Sequence, residues 1–109
     1  MNKKIAVPVD DNGILDAHFG HCRYFALLET SDHTIISEGM EMPPPHEPGV
    51  LPKWLADRGV TDVIAGGMGQ RAIQIFNYNN VNVFVGAPKL SSGELVKGFL
   101  ENTIDFQAN

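Results

Sequence analysis

Val60-Thr61-Asp62-Val63-Ile64-Ala65, then Gly66-Gly67-Met68-Gly69, then Gln70 to Asn77 (QRAIQIFN), then Val81-Asn82-Val83-Phe84-Val85 is the stretch that decides the fold. A β-branched run ending on clustered glycines reads as a strand entering a turn, and Ile73 and Phe76 fall on one helical face before a second β-branched run. Strand, turn, helix and strand in that order make a βαβ unit. Its two strands must be parallel and joined by a right-handed crossover.

Upstream, Lys4 to Val9 (KIAVPV) is a further strand running into the turn residues Asp10 to Gly13. Pro8 lacks an amide donor, so a bulge, an unpaired position or an early end is expected there. Tyr24 to Thr30 and Thr34 to Met40 flank Ser31-Asp32-His33 and predict an antiparallel hairpin, with His33 a solvated turn residue. Pro43 to Gly49 (PPPHEPG) is four-sevenths proline and must be a stiff loop. Leu51 to Arg58 predicts a short helix with Pro52 in its first turn, Gly59 at its stop and Trp54 packed on the sheet.

Downstream, Ser91-Ser92-Gly93-Glu94 has the form of a capping box, and Leu95, Val96, Phe99 and Leu100 follow at helical spacing. Thr103 to Asn109 carries no strong pattern and is expected to fray. Lys4–Val9, Val60–Ala65 and Val81–Val85 should be parallel neighbours with helices on both sheet faces, while Tyr24–Thr30 runs against them. The expected core includes Ile5, Val7, Val63, Ile64, Ile73, Phe76, Val83, Val85, Leu95 and Phe99.

A chain of 109 residues suits one domain, 1–109, around one core. The net charge of −5, with basic residues scattered rather than striped, argues against a nucleic-acid partner. Cys22 is the one cysteine, so no internal disulfide is expected; the N-terminus reaches acidic residues before any signal-like apolar stretch, which predicts a cytoplasmic protein. No apolar run approaches the roughly 20 residues of a membrane-spanning helix.

His18, His21 and Cys22 lie close together, and imidazole with thiolate suits zinc, copper or iron; His46 is a fourth candidate from another loop. The plainer alternative makes Cys22 a small buried apolar residue and the histidines solvated. Gly66, Gly67, Met68 and Gly69 precede a helix, so their amides and the positive helix end suit an anion, unless the glycines serve only a tight turn or close packing. Met68 is either a soft ligand or core filler. Arg71 is placed to clamp an anion or to pair with a surface acid.

His18-Phe19-Gly20, His46-Glu47-Pro48-Gly49 and Gly66 to Ala72 (GGMGQRA), in this element order, resemble the dinitrogenase iron-molybdenum cofactor biosynthesis family, of the stand-alone archaeal and bacterial type. The resemblance covers nearly the whole chain. It implies a ribonuclease H-like α/β fold: a five-stranded mixed sheet with strand two antiparallel to the rest. The loops bearing these motifs would then share the carboxyl edge of the sheet, where ligands of such sheets bind. Many members resemble His-Phe-Gly-Arg-Ala where this chain has His18-Phe19-Gly20-His21-Cys22, so His18 matches the motif and Cys22 does not.

The resulting expectation is a non-catalytic binder, carrier or assembly accessory for an iron-sulfur or iron-molybdenum type cluster, working with other cluster-assembly proteins. The alternative is a small-anion-binding or protein-interaction module with no metal. A two-metal nuclease would need converging carboxylates, which the glycine loop does not supply, so no such activity is expected. Nor can a supported Ser-His-Asp or Cys-His-Asn set be assembled.

Overall fold

The computed structural model describes residues 2–45, 47 and 49–109. β1 (Asn2–Val9) is followed by a single 3-10 turn (Phe19–His21), the hairpin β2 (Tyr24–Ser31) and β3 (Thr34–Glu41), α1 (Val50–Asp57), β4 (Asp62–Ile64), α2 (Gln70–Tyr78), β5 (Asn82–Val85), α3 (Ser92–Glu101) and β6 (Gln107–Ala108). The strands form one sheet in the order β3-β2-β1-β4-β5-β6.

β4 and β5 are parallel, as the βαβ unit requires, and β2 and β3 antiparallel, as the hairpin requires; β1 lies between them as expected, parallel to β4 and antiparallel to β2. The sheet has six strands rather than five. The added strand arises where fraying was expected: Val85 pairs with Gln107 and Phe84 with Ala108, and the Asn109 amide donates to the Val83 carbonyl at 2.9 Å. Phe99 explains why the tail returns, because its ring sits 4.8 Å from Phe84 and 5.9 Å from Phe106, fixing the residues just ahead of β6 against the sheet.

Pro8 neither ends β1 nor breaks its pairing with β2, whose register runs through Pro8↔Phe25 to Val9↔Tyr24. The shift in register falls in the hairpin instead, between Glu29 and Thr30, where Ile36 is the extra residue of β3. The Pro8 carbonyl accepts from the Asp16 amide at 2.9 Å, folding the following loop back over the strand. Asp32 and His33 both take positive φ, 50° and 67°, the two-residue turn whose twist matches a hairpin.

Alternate residues of the central strands serve opposite faces. Ala6, Phe25, Leu27, Val63 and Val83 pack with Leu51 and Leu55 of α1 and with Ile73 and Phe76 of α2. Ile5, Val7, Val9, Ala26, Leu28 and Ile64 pack with Leu95 and Val96 of α3. Val85 and Phe99 border these clusters, partly buried, because each lies near the end of its element rather than at mid-sheet. α3 opens with the reciprocal capping box of Ser91 and Glu94. Gly98 is fixed by packing: a Cβ there would overlap the Ile104 side chain. No helix among the described residues is long and apolar enough to cross a membrane.

Candidate functional site

β1 and β4 point their carboxyl ends to the same sheet edge, and β3, parallel to β1 through β2, delivers its following loop there too. A cleft of about 450 Å³ opens at this edge. Its walls come from three loops: Ala17 to His21 after β1, Glu47 and Gly49 before α1, and Gly67 to Gly69 leading into α2. His18, His21, Met68 and Arg71 all line it, with Leu51, Pro52, Ala72 and Ile75 supplying apolar surface.

Each wall is held by local chemistry. The Asp16 carboxylate accepts from the His18 amide at 2.9 Å, and Phe19 drives the next residue of the loop into the core. Its ring stands edge-on to Phe25 at 5.5 Å and to Phe76 at 5.6 Å, clamped between β2 and α2. This leaves His18 and His21 exposed on either side of a buried anchor. Gly49 caps α1 with φ of 81°, a left-handed conformation that glycine adopts without strain.

The glycines before α2 behave differently. Gly66, Gly67 and Gly69 have no positive φ. A Cβ built on Gly67 or Gly69 would meet nothing, and one on Gly66 would make ordinary contact with Leu15 at 3.5 Å. Neither backbone conformation nor packing within the chain requires glycine at 67 or 69. Gly69 is the N-cap of α2 and supplies no side-chain cap, so the first amides of the helix are left to point beyond its end. Arg71, exposed in the first turn, makes no ion pair among the described residues.

Cys22 lies outside this cleft. It is 7% exposed, belongs to the core cluster with Phe19 and Phe25, and borders an adjoining groove that also holds His21 and Met42. Burial, reinforced by the Asp16 carboxylate, pushes its thiol from 9.0 up to about 12. The thiol of the unliganded protein stays protonated at neutral pH, in keeping with its place among core residues. Between 9.0 and about 12 the unfolded chain gives up this proton and the folded chain retains it. The group therefore leaves stability unchanged below that window and lowers it as pH rises through it. Iodoacetamide at mildly alkaline pH is expected to leave Cys22 unmodified in the folded protein and to alkylate it after denaturation; rapid modification of the native protein would show the thiol to be accessible.

His46 lies outside the described residues. His33 is exposed in the hairpin turn, away from the cleft. Among the described residues no three His, Cys, Asp or Glu side chains converge to hold a metal ion. Gly66 and Gly67 also border a second hollow with Asp10, Asp16 and Lys89, but Asp10 is engaged in accepting the Asn12 and Ile14 amides at 2.8 and 3.1 Å. Sequence reasoning missed Phe19 as the anchor of the histidine loop and Glu47 as a wall residue. Both sit inside the quoted motifs, and an aromatic flanked by polar loop residues was the available signal for the first.

A mixed sheet that opens a loop-walled cleft beyond the carboxyl ends of its parallel strands defines a small α/β domain with its site at the sheet edge. More particularly, the chain belongs to the dinitrogenase iron-molybdenum cofactor family, whose model matches residues 1–102. It is 32% identical over 107 residues to an uncharacterized protein of Methanocaldococcus jannaschii, covering 94% of this chain and 89% of that one. The crystal structure of PH0822 superposes with a TM-score of 0.83 at 27% identity, over 97% of this chain and 96% of that one. The apo form of the orange protein from Desulfovibrio gigas shares the fold at a TM-score of 0.82 and 19% identity, over 98% and 96% of the two chains.

Proposed function

We propose that the protein is a non-catalytic carrier or assembly accessory that holds an anionic iron-sulfur or iron-molybdenum type cluster, as cargo, in the cleft at the sheet edge. The observation that carries this reading is the glycine floor: Gly67 and Gly69 are not needed by the fold, yet both line the cleft, where a side chain would occupy the space a ligand needs.

The lining favours a cluster over a bare ion. A zinc-like ion asks for three or four converging side-chain ligands, whereas His18, His21 and Glu47 line the cleft without forming a converging set of three among the described residues. A preassembled cluster brings its own sulfide ligands and negative charge. Its anionic surface suits Arg71 and the uncapped amides of α2, and its soft, weakly hydrated faces suit Met68, Leu51 and Ile75. His18, the residue matching the family motif, is the leading ligand, with His21 beside it. Cys22 is assigned to packing. We also read the mixed sheet with its reversed second strand as the ribonuclease H-like arrangement, and the protein as a cytoplasmic partner of cluster-assembly proteins.

The absence of three converging ligands among the described residues favours a second reading, a small-anion module without metal. Anaerobic incubation with iron and sulfide, followed by gel filtration, separates the two. The carrier reading predicts co-elution of iron and sulfide with the protein and much weaker retention of Zn²⁺ alone. If neither iron nor sulfide is retained while inorganic phosphate raises Tm, the cargo is a simple anion instead.

A further inference from the structure

The two edges of the sheet are built differently. β6, two residues long, is a blunt edge, whereas β3 is an eight-residue edge strand whose outer backbone groups pair with no other strand among the described residues. β3 carries no Lys, Arg or Pro; its edge protection is limited to Glu38, Glu41 and the bulge at Ile36. Three of the four large exposed apolar side chains of the described residues lie on it or directly after it: Ile36 at 61%, Met40 at 45% and Met42 at 67%. Gly39, in the same strand, has no positive φ, and a Cβ there would meet nothing. An interior glycine of this kind weakens a strand unless something approaches closely.

We infer that β3 pairs antiparallel with β3 of a second copy across a two-fold axis at Gly39, making one continuous sheet through the dimer. Chemistry and register single out a second copy. Pairing centred on Gly39 sets Ile36 opposite the partner copy's residue 42 position, a methionine, and so joins the two apolar ends of the strand twice over. It sets Glu38 opposite a methionine and Glu41 opposite a serine, so no acid faces an acid. Centring on Glu38 or pairing in parallel would oppose like charges, which is destabilising. Both acids are already held within their own subunit, Glu38 by the Ser92 hydroxyl and Glu41 by Arg58, each at 2.9 Å. The outward N–H groups of each β3 would donate to outward carbonyls of the partner copy's β3, the usual mode of strand addition. Because the two β3 strands are antiparallel, the two clefts open at opposite edges of the joined sheet and both stay accessible. This pairing is independent of what the cleft carries.

Sedimentation equilibrium from micromolar to near-millimolar protein tests it. The wild-type chain is expected to approach twice the monomer mass with rising concentration, and the exposed double variant Ile36→Lys, Met40→Lys to remain monomeric with an unchanged circular dichroism spectrum. Gly39→Cys reads the register, since directly opposed antiparallel residues stand at Cα separations of about 4.5–5.5 Å, within disulfide reach. It should cross-link between copies under mild oxidation, and Thr34→Cys should not. A wild-type monomer at every concentration, a double variant as dimeric as wild type, or equal cross-linking by the two cysteine variants would each overturn the proposal.

Discussion

Phe19→Ala is expected to lower Tm by roughly 12–20 °C, corresponding to about 3 kcal/mol for a domain of this size. The ring is 8% exposed and makes edge contacts with both Phe25 and Phe76, so truncation removes buried area and two aromatic pairs together. With a total stability of about 5–15 kcal/mol, the variant should still fold at low temperature. Its functional effect should exceed that of a distant core truncation of similar cost, such as Leu95→Ala on the opposite face. Phe19 is the buried anchor between His18 and His21, and without it the loop loses its packing into the core while bonds to the backbone, such as that from the His18 amide to the Asp16 carboxylate, remain. Thermal melts of both variants beside iron and sulfide loading measure the difference. A Tm within a degree or two of wild type would contradict the clamp.

Gly67→Leu is the complementary case, with a large effect on binding and a small one on stability. The position has no positive φ and open space beyond it, so a side chain costs the folded protein little and reduces the freedom of the unfolded chain. A leucine would instead take up space where the cleft meets the adjoining hollow, both of which Gly67 lines. Loading should fall by on the order of tenfold or more, equal to about 1.4 kcal/mol or beyond, while Tm stays near wild type. Retained loading would show that the glycine floor is not where the cargo sits.

The contrast between these residues explains what the sequence made legible. The βαβ unit was readable because Val60–Ala65 and Val81–Val85 are rich in β-branched residues and because glycines stop the first of them. The directions within the βαβ unit and the hairpin followed from these patterns, while the meeting of three motif-bearing loops at one edge followed from the family resemblance. β6 was not readable, since Gln107–Ala108 has no alternation of its own; its pairing depends on Phe99 and Phe106 bringing the tail back. The setting of Cys22 was equally hidden. A cysteine beside two histidines looks the same in sequence whether it faces a cleft or a core, and only the packing of Phe19 and Phe25 around it decides.

The glycine motif shows the opposite situation. Its composition announced a turn, and the usual reason for clustered glycines is backbone strain or tight packing. Neither reason applies at Gly67 and Gly69, and the proposed function rests on that.

The most direct test is the amount of iron and sulfide that remains with the protein after anaerobic reconstitution and gel filtration, measured in parallel for wild type, His18→Ala and Gly67→Leu, with folding checked by circular dichroism. The carrier account predicts that wild type retains both elements and that each variant, still folded, loses most of them. Equal retention by all three folded proteins would contradict it.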